Sequence, residues 1–124
     1  MPYLNPQVLS ATTMIGDEVK NADGESLGKI EEIMIDRTNG HVAYAVLSFG
    51  GFLGVGDKLF AVPWNSLTLN APDHSFRLDV DKERLENAPG FDKNNWPKSP
   101  DRAFIDEVYS FYDVEPYYSS HAGN

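Results

Sequence analysis

The chain contains no cysteine and little positive charge, and each of these absences excludes classes of function. Without cysteine it can form no disulfide, thiolate nucleophile, iron–sulfur cluster or cysteine-ligated zinc site. Its 19 acidic residues outnumber its 10 lysines and arginines, and the formal net charge is -9. A field of that sign repels a phosphate backbone and an anionic membrane surface. We therefore expect no direct binding of nucleic acid.

Long apolar runs and a recognisable targeting segment are also missing. The longest apolar stretch, Val42–Leu47, is far too short to cross a bilayer. The opening residues MPYLNPQVLS have neither the positive region nor the apolar region of a secretory signal. We expect a soluble, cytoplasmic protein with no transmembrane segment. A length of 124 residues predicts one domain with at most a short appendage.

Turn signals divide the region from residue 10 to residue 80 into short strands. Asp23-Gly24 is a hairpin signal, because glycine tolerates a positive φ. Asn39-Gly40 is a second signal and predicts a type I′ turn. In the strand between these turns the apolar alternation slips near Glu31-Glu32, which predicts a β-bulge or a strand bent between two faces of a barrel.

The strand pattern at His41–Phe49 is apolar on both faces. Every position of Val42–Leu47 is apolar, which predicts a strand that is covered on both sides. Further strand patterns follow at 58–62, 67–69 and 75–80. Many short strands joined by tight turns predict a barrel or a sandwich.

Helical patterns begin after residue 80. Asp81 is a candidate N-cap for one or two helical turns that end at Pro89-Gly90, and residues 91–100 are predicted to form a loop. Over 101–112, apolar residues recur at offsets of three and four, which predicts an amphipathic helix. We expect a β-barrel over residues 10–80. Over residues 81–124 we expect a helical appendage with an aromatic tail.

A set of short motifs follows this pattern in a characteristic order. In the barrel region they are Gly16-Asp17-Glu18-Val19, Asp23-Gly24-Glu25, Leu27-Gly28-Lys29-Ile30, Asp36 with Gly40, Ala43-Tyr44-Ala45, Gly50-Gly51-Phe52-Leu53-Gly54 and Phe60-Ala61-Val62-Pro63-Trp64. Toward the end they are Leu85-Glu86-Asn87-Ala88-Pro89-Gly90-Phe91, Trp96-Pro97 and Val108–Tyr118. In order and spacing the chain resembles the PRC-barrel family, and its end is similar to the stand-alone bacterial and archaeal branch.

The PRC-barrel resemblance implies a small, mainly antiparallel β-barrel with a C-terminal helical appendage. The family includes the cytoplasmic domain of the photosynthetic reaction-centre H subunit and the C-terminal domain of a ribosome maturation factor. It implies protein–protein contacts and no shared catalytic residues. The chain shows neither the membrane helix of the H subunit nor the N-terminal domain of the ribosome factor. We therefore do not expect either specialised function here.

No metal or cofactor site is expected from the spacing of acidic residues and histidines. An EF-hand with Gly24 at its sixth position would place Val19 and Ile30 where the acidic first and twelfth ligands belong. The histidines are scattered, with no partner at metal-ligand spacing. They are His41, His74 and His121.

No catalytic constellation is expected either. Glu31 and Glu32 are adjacent on a strand, so their side chains point to opposite faces and form no acid–base pair. The glycine-rich segment 50–56 lacks the Gly-Lys-Ser/Thr ending of a phosphate-binding loop. We expect a protein that is not an enzyme.

The glycine-rich segment carries three apolar residues, Phe52, Leu53 and Val55. They pack on the chain's own barrel or tail, or they form a contact surface for a partner or a second subunit, because exposed apolar groups of this size are uncommon on monomers. Both alternatives remain open at this point.

An aromatic and aliphatic set in the C-terminal part also allows two arrangements. It covers an open end of the barrel, or it packs on a second copy in a symmetric dimer. The residues are Trp96, Phe104, Val108, Phe111 and Tyr112.

Three functional hypotheses follow from these observations. The first is a non-enzymatic interaction or adaptor module that forms a homodimer and binds an unknown protein partner. The second is a small-ligand or metal-responsive module, which requires Glu31, Asp36 or His41 around a pocket. The third is a ribosome or RNA-processing accessory factor, which the acidic charge disfavours.

Overall fold

The computed structural model describes residues 8–48, 58–70, 75–92 and 102–118. In these ranges one sheet contains seven strands, and a few short helices surround it. The strands are β1 Glu18–Lys20, β2 Ser26–Ile35, β3 Val42–Ser48, β4 Lys58–Pro63, β5 Leu67–Asn70, β6 Ser75–Leu78 and β7 Gly90–Asp92. The helices are α1 Ala11–Met14, α2 Lys82–Glu86 and α3 Arg102–Phe111, with a 3-10 turn at Trp64–Ser66.

The strands follow the order β5-β6-β1-β2-β3-β4-β7 across the sheet. All neighbours are antiparallel except β1 and β6, which run parallel with Val19 opposite Phe76. This parallel pair joins the first strand to a strand more than fifty residues later. The strand-rich sheet with a C-terminal helix confirms the predicted fold class.

The predicted β-bulge in β2 is present. Ile30 lies opposite Leu47 and Glu32 lies opposite Val46, so Glu31 is an extra residue in the ladder. An extra residue bends a strand and reverses the faces on which the following side chains lie. The slip in apolar alternation is therefore the sequence signature of this bend.

A second bulge lies on β3 and was not predicted. Met34 pairs with Tyr44 and Ile35 with Val42, so Ala43 is the extra residue. Ala43 and its neighbours are all apolar, and therefore no change of alternation marks the bulge in the sequence.

The turn between β2 and β3 is a hairpin turn, but its predicted type I′ geometry is wrong. Gly40 has a φ of +79°, whereas Asn39 is not among the described residues with positive φ. The N–H of Asp36 donates to the carbonyl of His41, which leaves a four-residue loop. Side-chain oxygens of Asp36 and Asn39 accept the N–H groups of Thr38 and His41 at 2.9 Å. These bonds favour the longer turn.

The core lies around β3 and β4. Ala45, Val46 and Leu47 are completely buried, which confirms that this strand is covered on both sides. Helix α3 packs over β4 through Val108 and Tyr109, which are also completely buried.

Two short elements were not predicted. Helix α1 precedes the first strand, and Gly90–Asp92 forms β7, which extends the sheet beside β4 where a loop was predicted from residue 91. In β7, the site of Gly90 is so close to β4 that an added Cβ would lie 2.5 Å from the carbonyl oxygen of Leu59. The predicted N-cap is confirmed, since Asp81 accepts the N–H of Arg84 at 2.8 Å.

Candidate functional site

An open cleft lies between the β2–β3 turn and the start of α3. Its volume is about 530 Å³. Its lining combines apolar side chains with charged and hydroxyl groups. The lining residues are Met34, Ile35, Asp36, Arg37, Thr38, Ala43, Tyr44, Arg102 and Ile105.

The cleft depends on a hydrogen bond that attaches α3 to the bulge in β3. The hydroxyl of Tyr109 donates to the carbonyl of Ala43 at 2.5 Å, and both residues are buried. The bulge removes Ala43 from the regular ladder, and the tyrosine supplies its carbonyl with a donor. Burial raises the pKa of Tyr109 to about 12. A hydrogen bond with the backbone of Trp64 acts in the opposite direction and lowers it. The helix is therefore held at a defined distance from the turn.

A second tyrosine joins the chain's last described residues to the cleft. The hydroxyl of Tyr117 donates to Asp36 Oδ2 at 2.5 Å, and the N–H of Thr38 donates to Asp36 Oδ1 at 2.9 Å. These two bonds lower the pKa of Asp36 below its ordinary value of 3.8, the tyrosine bond having the larger effect. Burial, followed by the bond to Asp36, raises the pKa of Tyr117.

These shifts move the pKa values of Asp36 and Tyr117 further from neutral pH. A general acid or base works best when its pKa lies near the operating pH. Asp36 stays ionised with a lowered pKa, and Tyr117 stays protonated with a raised one. The pair therefore acts as a structural connection at the edge of the cleft.

The first residue of α3 is part of the same connection. The guanidinium of Arg102 lies over the ring of Tyr118, 3.6 Å from its centroid. The ring of Tyr118 in turn packs edge-on against Tyr117 at 5.3 Å. Stacking of a guanidinium on an aromatic ring is favourable and restricts its orientation. We call α3 and residues 112–118 together the C-terminal clasp.

The apolar part of the cleft includes one unusually exposed side chain. Ile35 is 54% exposed, whereas Ala43 and Tyr44 beside it are buried. Burial raises the pKa of Tyr44 to about 12, so its hydroxyl stays neutral. The surface can therefore accept an apolar group without burying an ionised one.

Of the residues proposed for a ligand pocket, only one reaches the cleft. Asp36 lines it, whereas Glu31 is exposed in the β2 bulge and His41 lies outside, its ring 6.2 Å from that of Tyr117. No group of three or more histidines, aspartates and glutamates in the described ranges could hold a metal ion. His74 and His121 are outside those ranges.

The contact residues predicted for the glycine-rich segment, Phe52, Leu53 and Val55, lie outside the described residues, as does Trp96. The other four members of the aromatic and aliphatic set belong to the clasp. Val108 is fully buried and Tyr112 is 9% exposed. Phe104 packs edge-on against Tyr44 at 5.6 Å, and Phe111 lies under the guanidinium of Arg84 at 4.7 Å.

Sequence reasoning did not assign Arg102, Tyr117 or Ile35 to a site. Tyr117 and Asp36 are 81 positions apart, and no periodicity links residues so distant. The only signal was the aromatic ending of the chain, which indicated packing and gave no partner.

Comparisons with known proteins identify the family. The model of the PRC-barrel domain matches residues 6–85, about two thirds of the chain, and the chain belongs to this family. No curated protein matches. One similar solved structure is a putative 16S ribosomal RNA processing protein RimM from Pseudomonas aeruginosa, with 16% identity and a TM-score of 0.41. The match covers 67% of this chain and 50% of that one, so the chain spans half the length of that protein.

Among the described residues, no helix is both long enough and apolar enough to span a membrane.

Proposed function

We propose that this PRC-barrel protein is a non-enzymatic interaction module that binds another protein. The observation that carries the proposal is the open cleft of about 530 Å³, in which the pKa of Asp36 is lowered and that of Tyr44 is raised. Such a site is suited to binding and poorly suited to proton transfer. The exposed Ile35 at its edge supports contact with an apolar group of a partner.

We further propose that the glycine-rich segment provides a second contact surface and that the protein forms a homodimer. Phe52, Leu53 and Val55 are apolar residues among glycines, a composition that suits a contact loop. Phe104 and Phe111 are only half-buried in the clasp, so each keeps apolar area for a second subunit. Trp96 would add to the same surface.

A pull-down from lysate of the source organism tests the loop. The variant Phe52→Ser/Leu53→Ser is compared with wild type and with the matched control Val8→Ser/Leu9→Ser. The control removes two apolar side chains that are exposed near the N-terminus, Val8 at 84% and Leu9 at 39%. We expect wild type and control to capture the same partner and the loop variant to lose it. Equal capture by all three proteins would remove the loop from consideration.

Light scattering over a concentration series tests the dimer. We expect a mass twice that of the 13.8 kDa chain. We expect Phe104→Ser/Phe111→Ser to shift the equilibrium toward monomer while the β-sheet circular dichroism is kept. A monomer at every concentration would contradict the dimer. Cell fractionation with an antibody against the protein tests the cytoplasmic location that we propose.

The size of the cleft supports a second candidate, a module that responds to a small ligand. Ligand sites commonly have volumes of about 300–1,000 Å³, and this cleft lies within that range at about 530 Å³. Thermal-shift screening against common metabolites and divalent metals tests this function. A stabilising shift that Ile35→Glu abolishes would support it, and no shift at millimolar ligand would argue against it.

A further inference from the structure

The described lining of the cleft is positive on a strongly acidic protein. Among the residues that the structure describes, it contains Arg37, Arg102 and one acidic residue, Asp36, which together carry a formal charge of +1, whereas the whole chain carries -9. A local charge opposite to that of the surrounding surface marks a place where an anionic group is preferred.

Asp36, the one carboxylate among the described lining residues, does not neutralise the arginines by direct pairing. Both oxygens of Asp36 accept hydrogen bonds, one from Thr38 and one from Tyr117. Among the described residues, no ion pair joins Asp36 to Arg37 or Arg102. The N–H groups of the two guanidinium groups are therefore available to a ligand.

The two arginines offer different kinds of contact. Arg37 is exposed on the β2–β3 turn and makes no hydrogen bond or ion pair within the described ranges. Arg102 is held by its face on Tyr118 at 3.6 Å. Stacking uses the face of a guanidinium and leaves the N–H groups at its edge, which match the two oxygens of a carboxylate. One arginine is therefore oriented in advance, and the other can close over the ligand.

Apolar surface lies directly beside these charges. Met34, Ala43, Tyr44 and Ile105 line the cleft, and Ile35 is 54% exposed at its edge. Burying an apolar side chain against Ile35 would remove exposed apolar surface from water, which is favourable. The cleft thus combines a site for one anion with a site for one apolar group.

We infer that the cleft binds an acidic peptide segment of a partner protein, with a carboxylate on Arg37 and Arg102 and a neighbouring apolar side chain on Ile35. This inference rests on the proposed function and specifies the chemistry of the partner. A carboxylate balances the local charge of +1. A polyphosphate or nucleic acid would bring several negative charges into the field of a protein of charge -9. The observations therefore favour a peptide.

The test is an NMR titration of the ¹⁵N-labelled full chain with two tetrapeptides, acetylated and amidated at their ends. In the first, leucine and glutamate alternate. In the second, glutamine replaces each glutamate, so the shape is kept and the charge is lost. We expect the first peptide to cause saturable shifts in the amides of Ile35–Thr38 and of Arg102–Ile105. We expect the second to bind at least about tenfold more weakly, as loss of charge-assisted hydrogen bonds implies.

A charge-reversal variant and its matched control test the role of Arg37 in binding the peptide. Arg37→Glu alters an exposed residue without described polar contacts, so we expect it to fold normally and to weaken the acidic peptide by about tenfold or more. Lys82→Glu makes the same change on α2, outside the cleft, and we expect it to bind like wild type. Loss of binding in both variants, or in neither, would overturn the inference.

Three further outcomes would also overturn it. Equal binding of the two peptides would make the cleft a purely apolar groove. Equal shifts with inorganic phosphate would make it a site for small anions. Shifts of the same amides on diluting the protein alone would show that a second copy fills the cleft. In each case the pull-down gives a separate answer. Capture of a partner that depends on Phe52 and Leu53 would still support the proposed function, so failure of the acidic-peptide inference is distinguishable from failure of the proposed function.

Discussion

The centre of the sheet and the C-terminal clasp are held in place by different interactions. In β3 and β4, backbone hydrogen bonds run along both strands, and side chains such as Val46 and Val62 are completely buried. The clasp shares apolar contacts with this core, but its position over the cleft depends on single hydroxyl groups, those of Tyr109 and Tyr117. We conclude that the sheet provides most of the stability and that the clasp determines the shape of the cleft.

This difference predicts a hierarchy of unfolding. Regions that rely on a few side-chain hydrogen bonds open at lower free energy than regions that bury many apolar groups. The end of the clasp around Tyr117 should therefore exchange its amide hydrogens faster than β3 does.

The largest expected effect comes from the centre of the sheet. Leu47→Ala removes a completely buried side chain from β3 and should lower the free energy of unfolding by about 2–5 kcal/mol, because it loses apolar burial and leaves a cavity. Urea denaturation followed by circular dichroism measures the change. Ile35→Ala, at an exposed position of the same sheet, is the control and should change stability far less. Similar losses in both variants would contradict the assignment of the core to β3.

An intermediate effect is expected at the edge of the sheet. Gly90→Ala would place a Cβ 2.5 Å from the carbonyl oxygen of Leu59, so β7 must move away from β4. Overpacking of this kind destabilises by about 1–3 kcal/mol. Hydrogen exchange should show loss of protection in β7 with β3 unaffected. The control, Glu86→Ala, alters an exposed residue of α2. Wild-type protection in Gly90→Ala would show that β7 is not a firm part of the sheet.

The hydrogen bond from Tyr109 to the carbonyl of Ala43 should contribute somewhat less. Tyr109→Phe removes only the hydroxyl and leaves the buried carbonyl of Ala43 without this donor, which costs about 1–2 kcal/mol for a buried group. We expect the amides around Ala43 and α3 to change in an NMR spectrum while the centre of β4 keeps its shifts. Tyr118→Phe removes a hydroxyl from the half-buried end of the clasp and serves as control. An unchanged stability would indicate that water replaces the tyrosine hydroxyl.

The smallest effect is expected at the end of the clasp, and it should depend on pH. Tyr117→Phe removes the donor that lowers the pKa of Asp36. A carboxylate with a lowered folded-state pKa stabilises the fold above its ordinary value of 3.8, and this contribution is lost as the pH falls through the lower folded value. Wild type should therefore exceed Tyr117→Phe in stability near neutral pH and approach it in acid.

The difference in stability between wild type and Tyr117→Phe should also become smaller at alkaline pH. The pKa of Tyr117 is raised in the folded protein, so its neutral hydroxyl contributes stability below the ordinary pKa of 10.0. This contribution is lost as the pH rises above that value. Urea denaturation across the pH range measures both limits, with the double variant Tyr117→Phe/Asp36→Asn as reference. A difference between wild type and Tyr117→Phe that is constant with pH would contradict the role of the Asp36 bond.

Features that involve neighbours in sequence were predictable. The cap at Asp81 follows from a side chain that reaches the N–H three residues later. The bulge at Glu31 follows from a local change of alternation. The turn at Asn39-Gly40 was located correctly, but its type was wrong because Asp36 and Asn39 accept N–H groups within the loop and favour a longer turn.

Features that join distant parts of the chain were not predictable. The parallel pairing of β1 with β6, with Val19 opposite Phe76, has no local signal. The bulge at Ala43 is hidden in a uniformly apolar strand, and its carbonyl is satisfied by Tyr109, 66 positions away. The cleft arises where these long-range contacts meet, and so its residues were not recognised as a group.

The sequence by itself determined the strand pattern, the positions of the hairpins, the family and the acidic charge. These depend on the chemistry of neighbouring residues and on composition, which act within a few positions along the chain. Tertiary structure alone decided which strands pair, where α3 lies and how Asp36 and Arg102 come to share a cleft. Burial, charge interactions and hydrogen bonds between distant residues act through space, and only the folded chain brings those residues together.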